Sequence, residues 1–78
     1  MNHFAQTIAL TEATSLLNTQ LEAEKLMKRL HESRNPGASA HEAVNNWIVS
    51  NRYGYRKQGE PLLRLTEIGR RYVREVLL

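Results

Sequence analysis

The sequence predicts a small α+β domain, mainly helical. It should hold N-terminal helices, a short two-stranded hairpin near residues 53–65 and a C-terminal helix over 66–77. Three observations carry this expectation. Apolar residues recur at three- and four-residue spacing through Leu10–Leu30, the period of an amphipathic helix. The stretch "RYGYRKQGEPLLRL" (Arg52–Leu65) alternates around glycine and holds turn residues at its centre, as a hairpin does. Thr66 then stands before Glu67, an N-cap followed by an acid in the first helical turn.

The chain has 78 residues, enough for one domain at most. We read it as a single unit over 1–78, with a helical part at 1–33 and a helix, hairpin and closing helix at 38–78. The division falls at "SRNPGAS" (Ser33–Ser39). There Pro36 disfavours a helical Asn35, and Gly37 follows at once. So short a chain buries little core. Without cysteine it has no disulfide to add, so self-association is an expected source of extra stability.

Upstream of the break, Leu10, Ala13, Leu17 and Leu21 form one apolar row, and Leu16, Ala23, Met27 and Leu30 a second. Together they are wider than a coiled-coil seam. Thr11 suits a start near Glu12, and "TQLE" (Thr19–Glu22) is a capping-box pattern inside the run. The pattern fits one long helix or two helices meeting near Asn18 and Thr19, with two, or one bent helix, preferred. Downstream, "SAHE" is a second capping box, with Ser39 as N-cap and Glu42 three positions on. Ala40, Ala43, Val44, Trp47 and Ile48 give the following helix an apolar face as far as about Asn51, with Trp47 as a core anchor. Glu42, Asn46, Val49 and Ser50 take the other face, and Asn45 lies at its edge.

Tyr53, Tyr55 and Lys57 then alternate around Gly54. Gln58–Pro61 is a turn, and Leu62–Leu65 returns as an apolar strand. Pro61 lacks an amide donor and suits a strand start or edge. In the last helix Ile68, Tyr72, Val73 and Val76 are expected to face inward, with Arg70, Arg71 and Arg74 toward the other side.

Composition narrows the chemistry. There is neither cysteine nor aspartate, which removes the commonest metal-ligand and catalytic-triad vocabulary. His3, His31 and His41 are widely spaced, so no metal site is expected. No phosphate-binding glycine loop and no nucleophile elbow occur; the chain reads as a non-enzyme without a cofactor. No apolar run approaches a membrane span of ~20 residues, and Met1–Leu10 lacks the pattern of a signal peptide. A cytoplasmic protein with no membrane partner is the expectation. Charge is uneven. Residues 1–50 carry four Lys and Arg against five Glu, one negative net. Residues 51–78 carry seven against three, a net of +4. A basic end on a near-neutral body suits an anionic partner.

"LLRLTEIGRRYV" (Leu62–Val73) resembles the final strand and helix start of MarR-type and PadR-type winged-helix regulators. The matching residues are Arg64, Leu65, Thr66, Glu67, Gly69 and Arg70. "AVNNWIVSNRYGYRK" (Ala43–Lys57) sits where those families place the recognition helix and the first wing strand. The resemblance spans about residues 43–74 and implies a winged-helix-like domain that binds duplex DNA. Such a domain normally sets a helix-turn-helix before its wing. Only one helix fits between Gly37 and the hairpin, so its partner has to come from Leu10–Leu30, where "EATSLLNTQLEAEKLMKRL" loosely matches a helix-turn-helix with Asn18 at the turn.

Seven residues are the nucleic-acid-binding candidates. Asn45, Asn46 and Ser50 lie off the core face of the candidate recognition helix, and asparagine pairs with adenine in the major groove. The alternative for them is a solvent-facing polar helix, and Glu42 on the same side repels phosphate. Arg52, Arg56, Lys57 and Arg64 cluster at the hairpin, where cations contact phosphate and make affinity salt-dependent. Tyr53 and Tyr55 interleave with them, and one or both are expected to pack on the core. Arg70, Arg71 and Arg74 either extend this surface or pair locally, as Arg71 and Glu75 are spaced to do. The resulting expectation is a small DNA-binding transcriptional regulator of bacterial or phage type, acting as a homodimer. The rival is a protein–protein interaction module or inhibitor of similar fold without DNA binding. An RNA-binding role for the same patch ranks below both.

Overall fold

A computed structural model describes the backbone of residues 3–78 and the side chains from Thr14 onward. One helix, α1 (His3–Ser33), forms the whole N-terminal part. The expected plural helices are therefore one continuous helix, with no start at Thr11 and no turn at Asn18. "TQLE" does not cap a second helix. Thr19 Oγ1 donates back to the Ser15 carbonyl at 3.0 Å, the bond by which a mid-helix threonine satisfies itself without ending the helix. At 1.5 Å per residue, the 31 residues of α1 account for most of the 49 Å long axis. Expectations for the side chains of Leu10, Thr11, Glu12 and Ala13 lie outside the described residues.

Downstream come α2 (Glu42–Ser50), β1 (Gly54–Arg56), β2 (Leu63–Leu65) and α3 (Glu67–Tyr72), then a π-helical turn over Val73–Leu77. The molecule is thus mainly helical α+β, with the hairpin and closing helix where the sequence places them. Ala23, Leu26, Met27 and Leu30 of α1 meet Val44 and Ile48 of α2, Leu63 and Leu65 of β2, and Val73. Met27 and Ile48 are fully buried, each contributing about 1.5–3 kcal/mol. Most of the second apolar row of α1 is therefore core. Leu16, Leu17 and Leu21 instead stay exposed, at 70%, 55% and 48%.

The break after α1 is a tight reversal. The Arg34 N–H donates to the Leu30 carbonyl, with Arg34 at φ 59°, the left-handed cap that usually holds glycine. Gly37 then exchanges both backbone hydrogen bonds with Leu63, at 3.1 and 3.0 Å. It thereby flanks β2, whose other neighbour is β1 in antiparallel register Gly54↔Leu65, Tyr55↔Arg64, Arg56↔Leu63. Residues directly opposite share a face. Gly54, Leu63 and Leu65 thus turn to the core, while Tyr55 and Arg64 share the opposite face. The hairpin turn closes with the Glu60 N–H on the Lys57 carbonyl. Gly59 sits there at φ 83°, the position of a type II turn that needs positive φ.

α3 begins where predicted. Thr66 is its N-cap, and its Oγ1 accepts from the Gly69 N–H at 3.0 Å. Two inward assignments are corrected. Ile68 is 55% exposed and Val76 60%. Gly69 lies against the backbone of Tyr53, and that close approach turns Gly69, Tyr72 and Val73 inward and Ile68 out. The final turn is wider than α, with the Leu78 N–H on the Val73 carbonyl. It brings Leu77 rather than Val76 round to the core.

Tyr72 ties this end to α1. Its ring stacks on Tyr53 with centroids 4.5 Å apart, and its hydroxyl donates to Glu24 at 2.5 Å. The hydrogen bond to the carboxylate, then burial, then the charges of Glu24 and Tyr53 raise the phenol from its ordinary 10.0 to about 12. An acid held neutral by the fold adds stability below its unfolded pKa and loses that stability as pH climbs through its folded one. The wild type is therefore expected to lose stability between pH 10.0 and about 12. Tyr72→Phe should flatten that alkaline limb in circular dichroism. An unchanged limb in the variant would refute the linkage.

Candidate nucleic-acid interface

α2 starts two residues later than the capping box predicts, and the reason is Asn45. Its Oδ1 accepts from the Ser39 N–H at 2.8 Å, and its Nδ2 donates to the Ser39 carbonyl at 2.9 Å. This reciprocal pair holds Ser39 outside the helix. The Ser39 hydroxyl then reaches only the His41 N–H, and His41 becomes the N-cap. Asn45 is 2% exposed, so its amide belongs to the framework and not to a groove-reading surface. Asn46 and Ser50 are exposed, one turn apart on the solvent face of α2.

Glu42 shares that face, but its charge is already met. Arg56 Nη2 lies 2.7 Å from Glu42 Oε1. Hydrogen bonds from Arg56, first, and then Asn45 hold the Glu42 carboxyl below its ordinary value. The pair clips β1 to α2. Arg56 is thus a tied cation, where the sequence suggests a free phosphate contact, and Glu42 is a neutralised anion.

Arg52, Lys57 and Arg64 keep their charges unpaired among the described residues; the only ion pairs there are Arg56–Glu42 and an exposed Arg74–Glu67 contact of 3.4 Å. Of the two alternatives for Arg71, the local pair with Glu75 does not form among the described residues. Arg52 is set apart by its backbone. It sits at φ 63° just past α2. The Arg52 N–H donates to the Val49 carbonyl and the Tyr53 N–H to that of Ile48, a Schellman cap with arginine in the glycine position. Tyr53 packs on Trp47, centroids 5.8 Å apart, supplying the apolar contact that goes with this cap. A side chain in the left-handed region costs roughly 1–2 kcal/mol, and such strain concentrates at functional positions. Tyr55 is exposed while Tyr53 is not, so the two tyrosines divide between surface and core.

Arg64 is half-buried, and its Nε is enclosed without a partner. Arg34 and Asn35, just past α1, and Arg70, from α3, line the same cleft. Sequence reasoning named Arg70 as a possible extension of the basic surface and missed Arg34 and Asn35. A basic residue directly before the "NPG" break was the available signal. The "LTEIG" segment meanwhile has a local structural role. Thr66 Oγ1 donates to the Arg52 carbonyl at 2.6 Å, and the Thr66 N–H to the Tyr53 carbonyl at 3.0 Å. This segment fastens α3 to the end of α2.

Among the described residues no group of side chains is placed to hold a metal ion, and no helix is long and apolar enough to cross a membrane. Comparisons with family models, curated proteins and solved structures gave no match.

Proposed function

We propose that the chain is a small winged-helix-type regulator that docks α2 on duplex DNA and grips phosphates with the hairpin. The observation that carries this reading is the ring of unpaired cations around the hairpin, Arg52, Lys57 and Arg64. The order of elements supports it as well: a long helix, a strand-like bridge, a helix, a hairpin and a closing helix. α1, packed on α2, takes the part of the supporting helix. Asn46 and Ser50 are the groove-facing pair, and Arg52 and Lys57 the phosphate contacts. Two copies joined through Leu16, Leu17 and Leu21 would present two such units.

A salt titration of duplex binding tests the proposal. Each lost phosphate contact flattens the log–log slope by about 0.9, so Lys57→Ala should weaken binding and flatten the slope by that amount. Arg52→Gly should do the same while raising stability by roughly 0.5–1 kcal/mol, since glycine relieves the left-handed strain at a smaller entropic cost. Glu42→Gln frees Arg56 and should tighten binding and steepen the slope. No duplex binding by the wild type at low salt would sink the reading.

One observation favours a second reading, a protein-interaction module without DNA binding. The exposed Leu16–Leu17–Leu21 stripe of α1 suits a partner helix. Under it, Leu17→Glu abolishes partner capture, and the cation variants leave that capture unchanged.

A further inference from the structure

We propose that the cleft between the end of α1, β2 and α3 is a binding site for a phosphate group, held by Arg34, Arg64 and Arg70. Arg34, just past α1, Arg64 of β2 and Arg70 of α3 line one cleft of about 80 Å³. Tyr55, directly opposite Arg64 in the hairpin, lines it as well. Asn35, Leu30 and Leu65 complete the wall. No carboxylate lines the cleft, and none of the three arginines has an ion-pair partner among the described residues.

Three like charges around one small cleft repel one another, and an anion between them removes that repulsion. Two further observations point to a ligand. The enclosed Nε of Arg64 has no acceptor, a condition that buried donors rarely keep. Arg64 lines the cleft through its other atoms, so an oxyanion there gives its guanidinium an acceptor, though not at Nε itself. Arg34 sits at φ 59°, where glycine would sit without strain, so the arginine side chain at the cleft comes with a backbone cost. Arginine forks match phosphate oxygens in bidentate geometry. The volume is far below the roughly 300–1,000 Å³ of clefts that take whole organic ligands, so the site fits one tetrahedral oxyanion and leaves the rest of any ligand outside. This inference shares Arg64 with the duplex-binding reading but does not depend on it. The phosphate group comes either from a free phosphate or phosphomonoester, or from a nucleic-acid backbone.

The test is a titration of the full chain with inorganic phosphate at constant ionic strength, read by NMR at the arginine Nε–H signals. Saturable shifts at Arg64 and Arg70 are expected, with none in matched sodium chloride. Arg34→Gly should keep or raise the melting temperature and still weaken phosphate binding about tenfold. Arg70→Gln should weaken it similarly from a different element. Equal, non-saturating shifts in phosphate and chloride overturn the proposal, as does undiminished binding in both variants. A short duplex added as competitor then sorts the source. Displaced phosphate assigns the site to backbone phosphodiesters; retained phosphate assigns it to a free phosphate or phosphomonoester. Duplex binding without phosphate binding removes this site and leaves the regulator reading intact, and the converse result does the opposite.

Discussion

Gly69→Ala is expected to remove a large part of the stability of the fold. A Cβ at this position would lie 2.0 Å from the Tyr53 carbonyl oxygen and 2.8 Å from its carbon. Those are backbone atoms, so no rotamer change relieves the clash. α3 has to lift away from Tyr53. The movement breaks the hydrogen bond from the Thr66 N–H to Tyr53 and strains that from Thr66 Oγ1 to Arg52. Overpacking of about 1–3 kcal/mol and two hydrogen bonds of about 0.5–1.5 kcal/mol each make roughly 2–6 kcal/mol. A chain of this size has only about 4–12 kcal/mol in total at roughly 0.05–0.15 per residue. Urea unfolding followed by circular dichroism measures the loss. Gly59→Ala is the control. It meets nothing within 4 Å and is strained only by its φ of 83°, so it should cost about 1 kcal/mol and leave the m-value unchanged. Equal midpoints for the two variants would contradict the close-approach argument.

Asn45→Ala is expected to destabilise the protein by roughly 2–3 kcal/mol, because it leaves both the N–H and the carbonyl of Ser39 without their partner. The result separates two roles that the sequence leaves superposed. As a framework residue, Asn45 controls the urea midpoint, and the folded variant keeps the salt slope and base preference of the wild type. As a base reader it would do the reverse, shifting discrimination by about 1–3 kcal/mol at one base pair with little change in stability. An unchanged urea midpoint for Asn45→Ala would overturn the assignment made from its burial. Asn46→Ala, on the exposed face, is the matching comparison.

The legible parts of this chain were those decided by neighbours along it. The apolar period of Ala23, Met27 and Leu30, the glycines and turn residues of the hairpin, and Thr66 before Glu67 all act within a few positions. The N-terminal pattern left one helix or two open through "TQLE". A capping box and a helix interior share the same residues, and the choice depends on whether Thr19 bonds forward or back. The second capping box failed by two residues because Asn45, six positions on, competes for Ser39. On α3, periodicity gave Ile68 to the core, but the missing side chain at Gly69 lets the helix press on Tyr53 and turns it. The candidate site was legible as a region, the basic hairpin, and not as a residue set.

By itself the sequence determined the element types, their order and the positive charge of the last third, since these follow from local propensity and from counting. Only the tertiary structure decided which charges are free. Arg56 is tied to Glu42 across 14 residues, while Arg34, Arg64 and Arg70 gather in one cleft although they are distant in the chain. The physical reason is range. Helix caps and turns are satisfied within a few residues, whereas ion pairing and desolvation depend on which surfaces the packed core brings together.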